Sequence, residues 1–252
     1  MCTVSLIPLA GDRCGATLGV RMACNRDESR LRPAALPPRI RGLGAQRAVM
    51  PIDPVSGGTW IGANDRGIVA TLLNVYTRPH AETGRLVGRR SRGEIVPHLL
   101  AARTLDGVLE SAQRLIPSEY PPFRLVAADA SRWFEARSDG AELRLSNPQT
   151  LVEPRMFTSS GLGDERVAGP RNTLFGEMFA VPCEQWVAVQ DEFHAHRWPD
   201  APHVSVCMER AEALTVSVTT VEIRASEVRL AYTPGPPGRA AALPALELSV
   251  GE

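Results

Sequence analysis

The residues best suited to chemistry stand at the start of the sequence, in Met1-Cys2, and a short way downstream, in Asn25-Arg26-Asp27-Glu28. Removal of the initiator methionine ahead of a small residue leaves Cys2 with both its thiol and a free α-amine. An α-amine titrates near ~7.7–8.0, so at neutral pH it can take the proton of its own side chain. Nucleophile and base then sit on one residue, a set suited to attacking an amide carbonyl. An arginine beside that thiol favours the thiolate, which is the role open to Arg26. Asp27 can accept a hydrogen bond from the α-amine and fix its orientation.

These roles require elements that bring residues 25–28 back to residue 2. Cys2 to Leu9 alternates and is rich in β-formers, Ala10 to Gly15 breaks the pattern, and Thr17 to Asn25 resumes it. The pattern predicts a hairpin whose second strand ends near the start of the first. Leu31 to Pro54, rich in proline, glycine and arginine, reads as a surface loop. Thr59 to Ala63, a turn at Asn64-Asp65-Arg66-Gly67, and Ile68 to Asn74 predict a second hairpin with buried central strands. Ser91 and Glu94 have capping-box spacing ahead of a helix within Arg90 to Arg103, and Thr104 to Leu115 fits a second helix. Strands are expected over Phe123–Ala128, Trp133–Ala136 and Glu142–Leu145, and helices over Pro170–Phe179 and Cys183–His194. The tail from Val204 to Thr233 reads mostly as strand, with Pro234 to Gly238 closing the domain. Segregated runs of this kind, with no repeat and no linker, point to one α+β domain over 1–252: two facing sheets with helices on the outer faces.

Composition narrows the function. The 252 residues carry 28 basic and 28 acidic side chains, a net charge of zero, and every basic one is arginine. Charges of both signs are interspersed and no aromatic–basic stripe occurs, which speaks against a nucleic-acid partner. Cys2, Cys14, Cys24, Cys183 and Cys207 are odd in number and lack metal-type spacing, which argues against a disulfide framework and a zinc ribbon. The apolar stretch Val4 to Ala10 is too short for a signal or a membrane span. A reducing, cytoplasmic location is the expectation.

The motifs resemble a known family. Met1-Cys2-Thr3, Ala23-Cys24-Asn25-Arg26-Asp27-Glu28, Gly57-Gly58-Thr59-Trp60-Ile61-Gly62 and Asn64-x-x-Gly67 resemble the NRDE proteins, relatives of transport and Golgi organisation protein 2. Ser91-Arg92-Gly93, Ser159 to Asp164, Pro170-Arg171 and Val206-Cys207-Met208 extend the match along nearly the whole chain. The resemblance implies a four-layer αββα fold of the N-terminal-nucleophile type, akin to penicillin V acylase and bile-salt hydrolase, in which a terminal cysteine attacks an amide. Arg26 and Asp27 look like the counterparts of an arginine and an aspartate near that cysteine. They are adjacent here, whereas the acylases separate them by two residues. Adjacent strand residues face opposite ways, so a bulge or turn is needed for both to reach Cys2. Asn74, closing a central strand, is the oxyanion candidate. Ser159 and Ser160 fall where the acylases supply a second asparagine; a hydroxyl or the N–H groups of the Gly161 turn would substitute. Glu209 stands where the family leads one to expect histidine.

The resemblance thus implies a cofactor-independent hydrolase of a small amide or acyl conjugate, with Cys2, Arg26, Asp27, Asn74, Ser159 and Ser160 as site residues and Asn25, Glu28, Trp60 and Asn64 as motif residues. The alternative is a non-catalytic carrier of haem, lipid or acyl-CoA using the same cleft. Structural roles stay open for each residue. Cys2 can be a small buried hydrophobe, Asn25 and Asp27 can end a strand in an Asx-turn, and Asn74 can do likewise. Arg26 can pair with Glu28 or Asp27 at the surface for little energy, and Gly57-Gly58 can serve a turn. His194-x-His196 with Asp200 and His203 lacks zinc spacing, and Ser159-Ser160-Gly161 lacks a nucleophile elbow, so neither a metal nor a serine nucleophile is expected.

Overall fold

The computed structural model describes residues 2–10, 17–76 and 90–251. Its first alternating segments form the expected antiparallel pair, β1 (Cys2–Ala10) and β2 (Thr17–Ser29); the break over residues 11–15 lies outside the described residues. β2 runs through all of Asn25 to Glu28, so neither Asn25 nor Asp27 ends the strand.

A second sheet follows: β3 (Leu36–Leu43), β4 (Gln46–Ile52), β5 (Ile61–Asn64) and β6 (Ile68–Asn74). Helices α1 (Ile95–Leu99) and α2 (Leu105–Gln113) lead to β7 (Phe123–Ala128) and β8 (Arg132–Ser138), and short β9 (Leu143–Leu145) and β10 (Gln149–Thr150) both pair with β8. The chain returns to the first sheet in β11 (Arg155–Ser159). It crosses that sheet's outer face as α3 (Asp164–Met178) and α4 (Trp186–Ala195), then adds β12 (Ala213–Arg224), β13 (Glu227–Thr233) and β14 (Leu246–Ser249). The first sheet has the order β11-β1-β2-β12-β13-β14 and the second β10-β8-β7-β6-β5-β4-β3.

Period-two alternation explains the layering. Val4, Leu6, Val20, Met22 and Cys24 meet Ile61, Val69, Leu73 and Val126 of the other sheet in the central core. The opposite face of the second sheet, with Ala48, Ile68, Ala70, Leu125 and Phe134, packs on Ile95, Leu99, Leu105 and Val108 of α1 and α2. Ile7 packs on Phe179 and Phe193 beside α3 and α4. The result is the αββα arrangement. Among the described residues no helix is long and apolar enough to cross a membrane.

Several local expectations are corrected. Residues 31–54 are not a loop: they hold the edge strand β3 and the inner strand β4. Pro37 and Pro38 obscure the pattern but are tolerated because β3 is an edge with an irregularity between Leu36 and Arg39. Ser91 caps a single 3₁₀ turn, Arg92–Glu94, and α1 spans only Ile95–Leu99. The Glu94 carboxylate bonds Arg90 rather than closing a capping box. α3 begins earlier than expected and carries Pro170 within it. Residues 204–212 are not strand, and β14 follows the proline-rich tail. Cys183 is disulfide-bonded, so the cysteines are not all thiols.

Candidate active site

Cys2 opens β1, flanked in register by Arg26 of β2 and Ser159 of β11. The predicted hairpin return is therefore direct: Cys2 and Arg26 are cross-strand partners on the inter-sheet face. The Cys2 backbone N–H donates to Ser159 Oγ at 3.2 Å. Cys24, two residues before Arg26, lies diagonally across from Cys2 on the same face, and the two thiols hydrogen-bond. That bond lowers the Cys2 thiol below its ordinary value; burial opposes the shift, Arg26 adds to it and Asp27 works against it. The same bond and burial push Cys24 well up, so Cys24 keeps its proton and acts as the donor.

Arg26 is held rigidly. Its guanidinium stacks on Trp60, 4.4 Å from the ring centroid, and its Nη2 lies 2.9 Å from Asp53 Oδ2 and 3.4 Å from Glu28 Oε2. Asp53 also meets Arg32 at 2.7 Å, while its Oδ1 accepts the N–H groups of Val55 and Ser56. Burial pushes the Asp53 carboxyl up, but the bonds from Arg32, Val55 and Ser56 outweigh it and leave Asp53 below its usual range. Arg26 pairs with Glu28 as considered from sequence, although not as an exposed pair: it is buried, and Asp53 is its closer acid.

Asp27 faces the other way, toward α3 and α4. The bulge that sequence reasoning required lies in β12, between Thr215 and Ser217 opposite Asp27 and Arg26, and not in β2. Both side chains nevertheless line one cleft with Cys2. Asp27 Oδ1 accepts from Thr215 Oγ1 at 2.6 Å, and Oδ2 is buried with no hydrogen-bond partner among the described residues. Burial raises the Asp27 carboxyl, against Arg171, the Thr215 bond and Arg210.

The cleft, about 600 Å³, is walled by Trp60, Leu72, Asn74 and Tyr76 from the second sheet, and also by Arg92, Arg210 and Gly161-Leu162. Asn74 ends β6 and directs its amide toward Tyr76 Oη at 3.2 Å. Ser159 Oγ accepts from the Cys2 nitrogen, and Ser160 Oγ accepts from Leu162 N–H and Arg210 Nη2. The wall here comes from the Gly161 turn itself.

The remaining motif residues hold the scaffold. Asn25 donates to the carbonyls of His194 and Val206 at 2.8 and 3.1 Å, and its Oδ1 lies 2.8 Å from His194 Nδ1. His194 Nε2 accepts from Ser5 Oγ at 2.7 Å, and Ser5 Oγ in turn accepts from Gln190. Burial lowers His194 to about 3, so it is neutral, with Nδ1 carrying the proton. Asn64 ties the β5–β6 turn to the carbonyls of Leu100 and Ala102. Glu209 joins a cluster with Arg30, Arg197 and Arg239.

Sequence reasoning gave no role to Asp53, Arg92, Arg171, Arg210 or Cys24. Arg171 is buried, bonded to Thr3, Thr158 and the carbonyls of Val204 and Ser205. Of these, Cys24, Arg92 and Arg171 stand inside the family motifs; Asp53 and Arg210 carry no local signal.

No curated protein sequence matches the chain. Among solved structures it is similar to penicillin V acylase from Agrobacterium tumefaciens, with a TM-score of 0.54 and 13% identity over 96% of this chain and 84% of that one. It is also similar to the N-acylethanolamine-hydrolyzing acid amidase ortholog from Caenorhabditis elegans, with a TM-score of 0.57 and 10% identity over 87% and 92%. A conjugated bile acid hydrolase variant from Clostridium perfringens gives 0.52 and 11% over 96% and 92%. The fold is thus that of N-terminal-nucleophile hydrolases. In sequence, residues 19–173, more than half of the chain, match Transport and Golgi organisation 2, and the chain belongs to that family.

Proposed function

We propose that this protein is an N-terminal-cysteine amidohydrolase acting on a small amide or acyl conjugate, with Cys2 as nucleophile after removal of Met1. The observation that carries the reading is the surroundings of Cys2. Its thiol has the Cys24 donor and Arg26 on one side. Its nitrogen rests on Ser159 Oγ, and the Asp27 Oδ2 lining the same cleft is buried and unpartnered. A buried carboxylate oxygen without a donor is costly, and the α-amine freed by processing is the donor that would satisfy it.

In the reaction the α-amine takes the thiol proton and the thiolate adds to the amide carbonyl. Asn74 Nδ2 and the Gly161 N–H, which donates to no described residue, face the developing oxyanion. Collapse expels the amine, which leaves with the proton from the α-ammonium, and a thioester remains on Cys2. Water, deprotonated by the α-amine, attacks the thioester and releases the acid with the thiol restored. The solved structures named above include acylases and amidases, in line with this substrate class.

Mass spectrometry of the purified protein, alone and mixed with an acyl amide, tests the reading. The expected result is loss of Met1 and an acyl adduct on Cys2 that Cys2→Ala abolishes. A mature protein that retains Met1 lacks the amine base, and that outcome would sink the mechanism.

A further inference from the structure

Two of the glycine-bearing motifs, Gly57-Gly58-Thr59-Trp60 and Ser91-Arg92-Gly93, are not used by the chemistry above, yet they are built against each other. A Cβ on Gly58 would lie 2.4 Å from the Gly93 carbonyl carbon, so the two backbones touch where no side chain fits. Thr59 N–H donates to Gly93 O at 3.0 Å, and Ser91 Oγ caps the turn by accepting from Gly93 N–H. The residue between, Arg92, is thereby fixed in the cleft wall across from Cys2.

Its electrostatic position differs from that of Arg26 and Arg32. Those two share Asp53 and Glu28. Among the described residues Arg92 makes one hydrogen bond, from Nη1 to the Pro122 carbonyl at 2.8 Å, and no carboxylate lies within ion-pair distance. Its charge is close enough to Cys2 for the two to interact, and burial lowers the guanidinium from its ordinary value. A desolvated guanidinium with donors to spare is an unmet demand for an anion. The fork geometry suits a carboxylate.

We propose that Arg92 is the specificity-determining residue of the cleft and selects amides that carry a carboxylate near the scissile bond. The proposal rests on the amidohydrolase reading for the word substrate, but its test does not require turnover. Cys2→Ala protein is titrated by calorimetry with N-octanoylglycine and with N-octanoylglycinamide, the same molecule without the charge. The acid is expected to bind at least about tenfold more tightly. Arg92→Gln, which retains a donor for the Pro122 carbonyl, should bring the acid to the level of the amide while leaving the amide unchanged, and Arg92→Lys should keep part of the preference. Equal affinities, no binding of either probe, or a preference that survives Arg92→Gln overturns the proposal. The first comparison needs no Arg92 variant, so a folding defect in the variants leaves the proposal open to refutation. An acyl-enzyme formed without charge preference removes the Arg92 role and keeps the hydrolase. Charge preference without any acyl-enzyme does the reverse.

Discussion

Asn25 opens the Asn25-Arg26-Asp27-Glu28 motif, yet its side chain points away from the cleft, into a fastener between β2 and α4. Asn25→Ala removes two donors to the carbonyls of His194 and Val206 and one acceptor for His194 Nδ1–H. A hydrogen bond contributes about 0.5–1.5 kcal/mol net, and a buried group left unmatched costs about 1–3 kcal/mol. Asn25 and His194 are buried, so water does not readily replace the lost partner. Allowing that some of the three groups find each other on relaxation, the expected loss is about 3–5 kcal/mol, a large share of the ~5–15 kcal/mol that holds a domain together. Urea unfolding followed by tryptophan fluorescence reads it as a lower midpoint with unchanged slope. Asn25→Asp keeps the acceptor for His194 but turns a second oxygen toward two carbonyl oxygens, so it should cost at least as much. Because the role is structural, the fraction that remains folded should alkylate Cys2 at the unsubstituted rate. A loss below ~1 kcal/mol, or slower alkylation at full stability, would refute the fastener and put Asn25 in the chemistry.

His194 sets an acid limit on the same fastener. Its folded value, about 3, lies below the ordinary 6.5, so its contribution is complete above 6.5 and is lost as pH falls toward 3; at ~1.4 kcal/mol per unit that is on the order of 5 kcal/mol. His194→Gln should flatten this part of a stability-versus-pH curve, and an unchanged slope would contradict it. Cys24→Ala removes the thiol donor to Cys2 and should slow Cys2 alkylation at neutral pH about tenfold, the effect of ~1.5 kcal/mol in a bond to a charged group; an equal rate would leave Arg26 as the activating group. Asn74→Ala should lower kcat about 10²–10³-fold with little change in KM if it binds the oxyanion; a change confined to KM would assign it to substrate binding. Asp27 has the opposite sign to a salt-bridged acid. Its folded carboxyl holds its proton above the ordinary 3.8, so stability falls as pH rises through that raised value, and Asp27→Asn should raise Tm at pH 7 while abolishing acylation. A lower Tm would mean that Arg171 and Arg210 outweigh burial.

What was legible in the sequence follows from the range of each interaction. Alternation placed β1, β5, β6 and β7 within a residue or two and the start of β2, whose end runs four residues past Asn25 to Ser29, because side-chain period and burial are local. The segment over residues 31–54 was missed because Pro37 and Pro38 are read as breakers, and only the edge position of β3 makes them harmless. Cys2, Arg26, Asp27 and Asn74 come together in one cleft, as a hairpin return and a strand end allow. The partners that hold them do not: Asp53 reaches Arg26 across 27 positions and Arg210 reaches Ser160 across 50. No periodicity spans such distances. The partner of Ser159 is set by register one strand over, which places its hydroxyl against the Cys2 nitrogen.

Arg26 and Asp27 are adjacent in β2, yet both line the cleft with Cys2. In the middle of a sheet, neighbouring residues serve different faces and cannot share a ligand. Cys2 offers two groups to two faces: its thiol lies on the inter-sheet side, with Cys24, Arg26 and Trp60. Asp27 leaves its free oxygen on the helix side, where β12 gives way by a bulge. In the proposed mechanism the thiol of Cys2 meets Arg26 on one face of β2 and the α-amine freed by processing meets Asp27 on the other. Moving the pair apart by inserting a residue between Arg26 and Asp27 would turn both toward one face, and should cost acylation of Cys2 while leaving the thiol's reactivity toward a small alkylator.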